Sequence, residues 1–290
     1  MRELRYLIQD VREQTDNVDV NGVKDKEFIR YFNDGVKSIQ AIVFKNNPLC
    51  SYFQTSVEYQ TPIAGRSFDL PENCYANNAV TFVEVLSDAS INDLYSPLRR
   101  CWQEDQNSFQ GWYTRNNQVV FTGTRDVSLG YSARVWFFYR VPRFDKAWAT
   151  VTNVTGQVIT LTVADADFSN IDRFVTFSDP VTRERRVTKL PYTVTSPTEI
   201  TVVGDVTTVA VGDLMTMGDA SLTLEIPNEV EPYLMDYVAK RIYTRNNYSL
   251  DGSKIEFFTA EEKADIAAIF GDAGQAIQST PITDTSYLEI

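Results

Sequence analysis

The residue types that usually carry enzymatic chemistry are scarce in this sequence. The 290 residues contain no histidine, which excludes a histidine general acid or base, a Ser-His-Asp triad and a Cys-His nucleophile. HExxH zinc sites and histidine-ligated haem are excluded for the same reason. Cys50, Cys74 and Cys101 form no CxxC pair, so neither a zinc ribbon nor a thioredoxin-like site is supported. We therefore expect three reduced thiols in a protein made in the cytoplasm, with no metal and no cofactor.

Motifs for calcium and phosphate binding are incomplete or missing. Asp165, Asp167 and Ser169 resemble the start of a calcium loop, but Asn170 stands where the loop needs glycine and Thr176 where it needs glutamate. The sequence contains no GxxxxGK[ST], GxGxxG or GxSxG motif. Paired carboxylates are frequent, as in any acidic chain, and they leave a cell-wall hydrolase as an alternative. The sequence favours a protein that is not an enzyme.

The composition also limits the partners. The chain has 27 Lys and Arg against 39 Asp and Glu, a net charge of −12. Affinity for duplex DNA comes largely from cations that displace counterions, so a broad DNA-binding face is not expected. The acid is concentrated in residues 220–290, which hold 12 acidic and 5 basic residues. No apolar stretch is long enough to span a bilayer, so we expect no membrane partner.

Helical patterns mark both ends of the chain. Apolar residues from Leu4 to Val11 follow the i, i+3, i+4, i+7 spacing of a helix. A longer helix carries its apolar side from Phe28 to Val43 and ends before Pro48, which cannot continue it. In the C-terminal part, residues 228–231 and 259–262 each resemble a capping box that opens a further helix.

Between these helices the apolar period changes to two, which is typical of strands. Asn116-Asn117 predicts a hairpin turn, because asparagine tolerates positive φ. Strands are predicted at Ser51–Gln60, Val80–Leu86 and Ala133–Val141, and a short extended piece that a proline turn closes is predicted at Arg66–Pro71.

Residues 146–219 differ in texture from the rest of the chain. They contain 13 Val and 15 Thr, a β-branched density that predicts a small all-β module. Its predicted strands include Arg185–Lys189 and Thr193–Thr195 as separate elements. After the module, Ser221–Ile226 alternates apolar and polar residues and is predicted as one more strand.

The order of these elements predicts an α+β fold with three parts. Terminal helices form a helical bundle, a central β part is antiparallel, and an all-β module of barrel or sandwich type is inserted. The predicted boundaries are a core at 1–145 and 220–278, the inserted module at 146–219, and a C-terminal arm at 279–290.

Four groups of residues in this order of elements form a recognisable pattern. They are Leu4–Arg12 with Phe28–Gly35, then Phe68–Asn73, then Tyr95–Leu98 with Gly111–Tyr113 and Tyr139–Pro142, and finally Ile226-Pro227 leading into Leu234–Ala239. The pattern resembles the head–tail adaptor proteins of tailed bacteriophages, the podovirus-like ring proteins that dock under the portal. The resemblance covers roughly residues 1–145 and 220–270 and leaves out the inserted module. A crAss-like phage neck ring, with its larger adaptor, would suit that additional module.

The resemblance implies a homo-oligomeric ring, usually of twelve copies, in the neck of the virion between capsid and tail. The ring would assemble in the host cytoplasm, bind the portal through its helical part and face the next neck or tail ring with its β part. DNA would pass through the centre during genome ejection without sequence-specific binding.

The charge pattern, taken together with this resemblance, suggests candidate binding residues. The alternative for the charged residues is an ordinary solvated helix or sheet face, and the alternative for the arm is a tail that packs on its own domain or is disordered. Acids expected to face the channel or a neighbour are Glu229, Glu231, Asp236, Glu261, Glu262 and Asp265. Basic residues expected at interfaces are Arg99, Arg100, Arg183, Arg185 and Arg186, where Arg99 and Arg100 stand close to Trp102. The C-terminal arm would bind the portal or a neighbour through Ile282, Tyr287, Leu288 and Ile290. The alternative is a tail or receptor-binding protein whose β module holds a surface ligand.

Overall fold

The computed structural model describes residues 3–15, 22–59, 67–86, 95–101, 111–122, 132–162, 174–246 and 256–274. Its helices, antiparallel sheets and closed barrel confirm the predicted α+β class, with the inserted module as a barrel. Among the described residues, no helix is both long and apolar enough to cross a membrane. The helices are α1 (Leu4–Gln14), α2 (Asp25–Asn46), α3 (Glu231–Asn246) and α4 (Ala260–Gly274).

The strands alternate with turns over the middle of the chain. They are β1 (Gln54–Tyr59), β2 (Ser67–Asp69), β3 (Val80–Leu86), β4 (Tyr95–Pro97), β5 (Arg99–Arg100), β6 (Gly111–Arg115), β7 (Gln118–Thr122), β8 (Ala133–Phe138), β9 (Ala149–Thr155), β10 (Val158–Leu161), β11 (Phe174–Ser178), β12 (Arg185–Ser196), β13 (Glu199–Val202) and β14 (Leu214–Met217).

The chain divides into two compact units. The first unit comprises Met1–Ser38 and Pro142–Glu262, and the second comprises Ile39–Val141 and Lys263–Ile290. Helices α2 and α4 contribute residues to both units. The predicted division into core, inserted module and arm stays a prediction.

The helices of the first unit pack together through α3. Leu4, Leu7 and Val11, the predicted apolar side of α1, are completely buried. The Tyr243 hydroxyl on α3 donates to the Gln14 carbonyl at the end of α1 (3.1 Å). On α2, a Cβ placed on Gly35 would lie only 2.4 Å from Cδ1 of Leu234 on α3. The absence of a side chain at residue 35 therefore allows α2 and α3 to approach closely.

The barrel of the first unit closes in the order β10-β13-β12-β11-β14-β9. Alternate residues such as Val151, Ile159 and Phe177 point inward and are buried, as a filled small barrel requires. The two strands predicted at 185–189 and 193–195 are wrong as separate elements, because β12 runs through both. Lys189 has a positive φ of 57° beside an irregularity in the β11–β12 register. This bulge accommodates Pro191 within the strand.

The second unit contains two four-stranded sheets, ordered β1-β8-β3-β4 and β2-β7-β6-β5. The predicted hairpin is confirmed: β6 and β7 pair directly across Asn116 and Asn117, whose φ values are 50° and 61°. Two successive positive φ angles are those of a type I′ turn. The end of α4 packs on the start of β1, with the Phe270 and Phe53 ring centroids 5.0 Å apart.

The strand predicted at Ser221–Ile226 is wrong. This segment makes only isolated bridges, Ser221 with Phe144 and Thr223 with Glu3. Leu222, Leu224 and Ile226 are nevertheless buried, so the alternation reflects an extended chain with one side on the core. A single extended segment and a paired strand give the same period of two.

The two predicted helix starts have different outcomes. At the first, a 3-10 turn spans Asn228–Val230 and α3 begins at Glu231, so the capping box predicted for Asn228 is wrong. The second box is confirmed, because Thr259 N donates to Glu262 Oε2 (2.6 Å) and Glu262 N donates to Thr259 Oγ1 (3.1 Å). Asn228 already lies inside the 3-10 turn, and its backbone carbonyl, not its side chain, accepts the Glu231 N–H.

The close approach at Gly35 generates a test with a matched control. Leu234 is completely buried and Tyr237 stacks on Phe258 with centroids 5.0 Å apart, so neither can easily move away from a new methyl group. We expect Gly35→Ala to lower the free energy of unfolding by about 1–3 kcal/mol through overpacking.

The control is Gly271→Ala in α4, where a Cβ would meet no atom within 4 Å. We expect it to raise the free energy of unfolding by about 0.5–1 kcal/mol, because alanine favours helix over glycine. Urea denaturation of both variants measures the effects. A Gly35→Ala protein as stable as the control would contradict the close α2–α3 contact.

Candidate functional site

The predicted acidic residues divide into exposed and structural ones. Glu229, Asp236, Glu261 and Asp265 are exposed, whereas Glu231 is buried and Glu262 is half-buried. Glu262 receives hydrogen bonds from Lys240 Nζ at 2.9 and 3.2 Å in addition to its capping bond. Burial acts to raise the pKa of Glu262, but the Thr259 amide and the Lys240 ammonium outweigh it and lower that pKa. Glu262 therefore caps α4 and pairs with α3.

The predicted basic residues of the barrel are paired with acids of the same unit. Arg183 Nη2 lies 2.7 Å from Glu3 Oε1, and Arg185 Nη2 lies 3.4 Å from Glu225 Oε1. Arg186 forms ion pairs on both sides, with Asp179 and with the fully buried Asp213. The backbone amide of Thr182, then that of Val181 and the Arg186 guanidinium, lower the pKa of Asp179 to about 2. These arginines brace the barrel and its neighbouring segments.

The remaining predicted residues lie at a sheet edge or outside the described chain. Arg99 and Arg100 form β5 and are exposed. The Arg100 guanidinium lies over the ring of Trp112 at 5.2 Å, while Trp102 lies outside the described residues. So do the segment that resembles a calcium loop at 165–170 and the arm residues Ile282, Tyr287, Leu288 and Ile290, whose binding role stays a prediction.

A buried charge cluster in the first unit was not predicted. Arg12, on the apolar side of α1, is 8% exposed. Its Nη2 donates to Val23 O (2.7 Å) and to Asp25 Oδ1 (2.8 Å). Lys146 Nζ donates to the other oxygen of Asp25 at 3.1 Å. Burial acts to raise the pKa of Asp25, but the bonds from Arg12 and Lys146 outweigh it and lower that pKa.

Asp145, directly before Lys146 in the sequence, is a buried carboxylate. Asp145 is 5% exposed; its Oδ2 accepts from Trp148 Nε1 (2.7 Å) and its Oδ1 accepts from Lys146 N (2.8 Å). Burial raises the pKa of Asp145 to about 6, although these two bonds act in the opposite direction. A carboxyl group with such a pKa titrates in the range of many functional acids. The hydrogen bonds of this carboxylate join it to Lys146 and Trp148, at the point where the chain enters the barrel.

Two amides of α2 bind backbone rather than side chains. In the first unit, Asn33 Nδ2 donates to Phe144 O (2.9 Å) and Asn33 Oδ1 accepts from Phe144 N (3.0 Å). In the second unit, Gln40 Nε2 donates to Tyr139 O (3.1 Å) and Gln40 Oε1 accepts from Val141 N (3.2 Å). Both side chains are buried. In the sequence, the signal for these two contacts was a polar residue directly after an apolar residue of α2: Asn33 after Phe32, and Gln40 after Ile39.

The exposed side chains of α1 and α3 form the α1–α3 face, which we define by Tyr6, Gln14, Asp236 and Tyr243. Tyr6 and Tyr243 are 46% and 50% exposed. Gln14 Nε2 donates to Asp236 Oδ1 at 3.2 Å and links the two helices. Tyrosine is enriched at protein interfaces because it offers a large apolar ring with a polar tip. Tyr6 on α1 and Tyr243 on α3 are therefore candidate contacts for a protein partner.

A polar groove lies in the second unit beside the β6–β7 hairpin. Its volume is about 280 Å³, and it is lined by Ser67, Tyr113, Arg115, Asn116, Gln118 and Val120. Within the described part of the chain, no group of three or more Cys, Asp or Glu residues is placed to hold a metal ion. The groove is thus a polar surface feature that could take a small ligand.

Comparison with known proteins gives no assignment: no protein-family model matches the chain, and no curated protein matches it. Any function must therefore be argued from the geometry described above and from the resemblance of the sequence pieces.

The raised pKa of Asp145 predicts a specific pH dependence. The folded protein retains the Asp145 proton up to about pH 6, whereas the unfolded chain loses it near the ordinary value of 3.8. The unfolded state therefore binds fewer protons in this window, and stability contributed by Asp145 falls as pH rises. Asp145→Asn removes this titration.

We expect the wild type to lose about 3 kcal/mol of unfolding free energy relative to Asp145→Asn between pH 3.5 and pH 7. Urea denaturation of both proteins across that range measures the difference. Parallel curves for the two proteins would show that Asp145 does not titrate anomalously. Asp179→Asn is a control with the opposite sign, because its pKa is lowered.

Proposed function

We propose that this protein is a structural component of a tailed phage virion that forms a ring between the portal and the tail. The observation that carries the proposal is the arrangement of the first unit. Helices from the N-terminal and C-terminal parts of the chain pack as one bundle, and a closed barrel occupies the stretch between them. The pieces that resemble head–tail adaptors, Leu4–Arg12, Phe28–Gly35 and Leu234–Ala239, supply the contacts of that bundle.

The residue roles inside these pieces support the proposal. Gly35 ends one piece and permits the close contact with Leu234, which begins another. Asn33 binds the backbone of Phe144, close to the end of a third piece. The pieces on α2 and α3, which are distant in sequence, therefore pack against each other, which random local similarity would not require.

The electrostatics suit a conduit for DNA. The net charge of −12 opposes tight binding of phosphate, and the barrel arginines are neutralised by acids of the same unit. A wall without unpaired cations would retain passing DNA weakly, because retention depends on the release of counterions by such cations. The exposed acids Glu229, Asp236 and Glu261 are the proposed channel or neighbour-facing residues.

In this proposal the α1–α3 face binds the portal. Tyr6 and Tyr243 would act as partly preformed anchors, and Asp236 would lie at their rim. Each contact alone would be weak, but a ring of about a dozen copies adds them together through avidity. The free chain could therefore remain monomeric until a portal arranges the copies.

The first experiment measures molar mass by light scattering coupled to size exclusion, with and without portal. We expect a portal-bound assembly that carries about a dozen copies of the chain. A protein that stays separate from portal at high concentration contradicts the proposal. The portal used must be that of the same virus, since adaptor surfaces are specific to their ring.

The α1–α3 face can be tested by a double variant, Tyr6→Ala with Tyr243→Ala. Truncation of interface anchors typically costs at least 2 kcal/mol, so we expect the dissociation constant for portal to rise at least ~30-fold. The control is Val203→Ala at a barrel residue that is 61% exposed, which should bind portal as the wild type does. Equal portal affinity of the double variant and the control would place the docking surface elsewhere.

A second candidate function is a tail or receptor-binding module, and the polar groove of the second unit favours it. Arg115, Asn116 and Gln118 offer hydrogen-bond donors around a volume of about 280 Å³ beside the buried Tyr113, a size and chemistry compatible with one or two sugar units. Titration with a panel of bacterial surface glycans tests it. If a glycan binds saturably, Arg115→Ala weakens that binding by tenfold or more, and the wild type does not bind portal, this second function would replace the first.

A further inference from the structure

Strand β1 presents an open edge of backbone. It is the outer strand of the β1-β8-β3-β4 sheet. Tyr139 N donates to Phe53 O at 2.8 Å. This bond determines which residues of β1 direct their backbone groups toward β8. In an antiparallel pair the residues alternate between bonding the neighbour and pointing away from it. The N–H and C=O groups of Gln54, Ser56 and Glu58 therefore point away from β8, and within the described chain they have no backbone partner.

The other sheet edges of the described chain are protected. The barrel is closed and has no edge. Strand β4 has three residues and ends in Pro97, β2 has three residues and β5 has two. Short strands and proline are common ways to block edge pairing. Strand β1 has six residues and contains no lysine, proline, glycine or bulge, so it is the one long unprotected edge that the structure describes.

We propose that this edge pairs with the same edge of a second copy of the chain. In an antiparallel arrangement with a two-fold axis at Ser56, Gln54 of each copy stands opposite Glu58 of the other. Thr55 then stands opposite Val57, and all outward backbone groups between residues 54 and 58 find partners. The two sheets become one continuous sheet across the axis.

The proposed register keeps like charges apart. Glu58 is the single charge on the strand; within its own sheet it accepts from the Tyr95 hydroxyl, and Gln54 Nε2 donates to Thr81 Oγ1 at 3.4 Å. The register places Glu58 opposite Gln54 instead of the second Glu58. Like charges directly opposite each other would destabilise the pair. Ser56 is small and exposed, so that the two serines at the axis do not collide. A strand that matches itself in this way defines an isologous contact.

This inference goes beyond the proposed ring and does not rest on it. Two copies joined across a two-fold axis are a closed pair, whereas a ring needs head-to-tail contacts. The edge contact alone buries little surface, so we expect a weak dimer with a dissociation constant on the order of 100 μM. Its failure would leave the portal experiment unaffected, since no portal is needed for this test.

The test uses the full chain and two substitutions at one position. Ser56→Pro removes the outward N–H at the axis, and the fold tolerates it because that N–H makes no bond in the sheet. Ser56→Ala keeps the N–H. In sedimentation equilibrium we expect the wild type and Ser56→Ala to form dimers as concentration rises, and Ser56→Pro to stay monomeric. A wild type that remains monomeric at 1 mM, or dimers that Ser56→Pro leaves intact, would overturn the proposal.

A crosslinking experiment keeps the test independent of proline effects on folding. Cysteines at the axis would have Cα atoms about 5.5 Å apart, within the range for a disulfide. With Cys101 changed to serine in all proteins, we expect Ser56→Cys to form disulfide dimers at least tenfold faster than Ser96→Cys on the opposite edge strand β4. Equal rates for the two edges would show that β1 is not the contact.

Discussion

The first unit depends on the burial of one guanidinium. Arg12 lies on the apolar side of α1, with its guanidinium 4.5 Å from the Phe28 ring centre and ion-paired to Asp25. A charge this deeply buried is tolerated only when it is paired and hydrogen-bonded, and removal of one partner typically costs about 3–5 kcal/mol. Since Lys146 shares Asp25, the cluster joins α1, the start of α2 and the segment that leads into the barrel.

The barrel is attached where its two ends meet. Asp145 N donates to Ser221 O (2.9 Å), and Ser221 N donates to Arg143 O (2.7 Å). The chain therefore enters and leaves the barrel at one paired point, which is the geometry that lets a module be inserted without disturbing its host. Asn33 fixes the same point from α2, and the Asp145–Trp148 bond fixes it from inside the barrel entrance.

Local pattern was sufficient for much of the fold. The apolar stripe of α1, the Asn116-Asn117 turn and the β-branched texture of residues 146–219 each indicate an element by short-range physics alone. Prediction from local pattern failed where the same pattern is compatible with two different structures. Alternation in Ser221–Ile226 comes from burial with only isolated bridges. Pro191 lies in mid-strand, two residues after the positive φ of Lys189 and at the point where β12 changes its partner from β11 to β13.

The site residues were harder to predict because their partners are distant in sequence. Asp25 and Lys146 are separated by 121 residues, and nothing in either local segment indicates the other. For Arg183, Arg185 and Arg186 the local sequence did give a signal, but it indicated the wrong kind of contact. As a run they suggested an interface, whereas Glu3, Glu225 and Asp213 come to them from other parts of the chain.

These pairings connect stability with the proposed role. A barrel arginine that binds Glu3 or Asp213 cannot at the same time offer its charge to DNA, so the contacts that brace the first unit also lower its attraction for phosphate. The acids left exposed, such as Asp236 beside Tyr243, then determine the sign of the surface near the helices. In a chain with a net charge of −12, such a surface would repel nucleic acid, because tight binding of phosphate depends on cations that displace counterions. The internal pairing of the barrel arginines is therefore consistent with the proposed role, in which the chain binds other proteins and lets DNA pass.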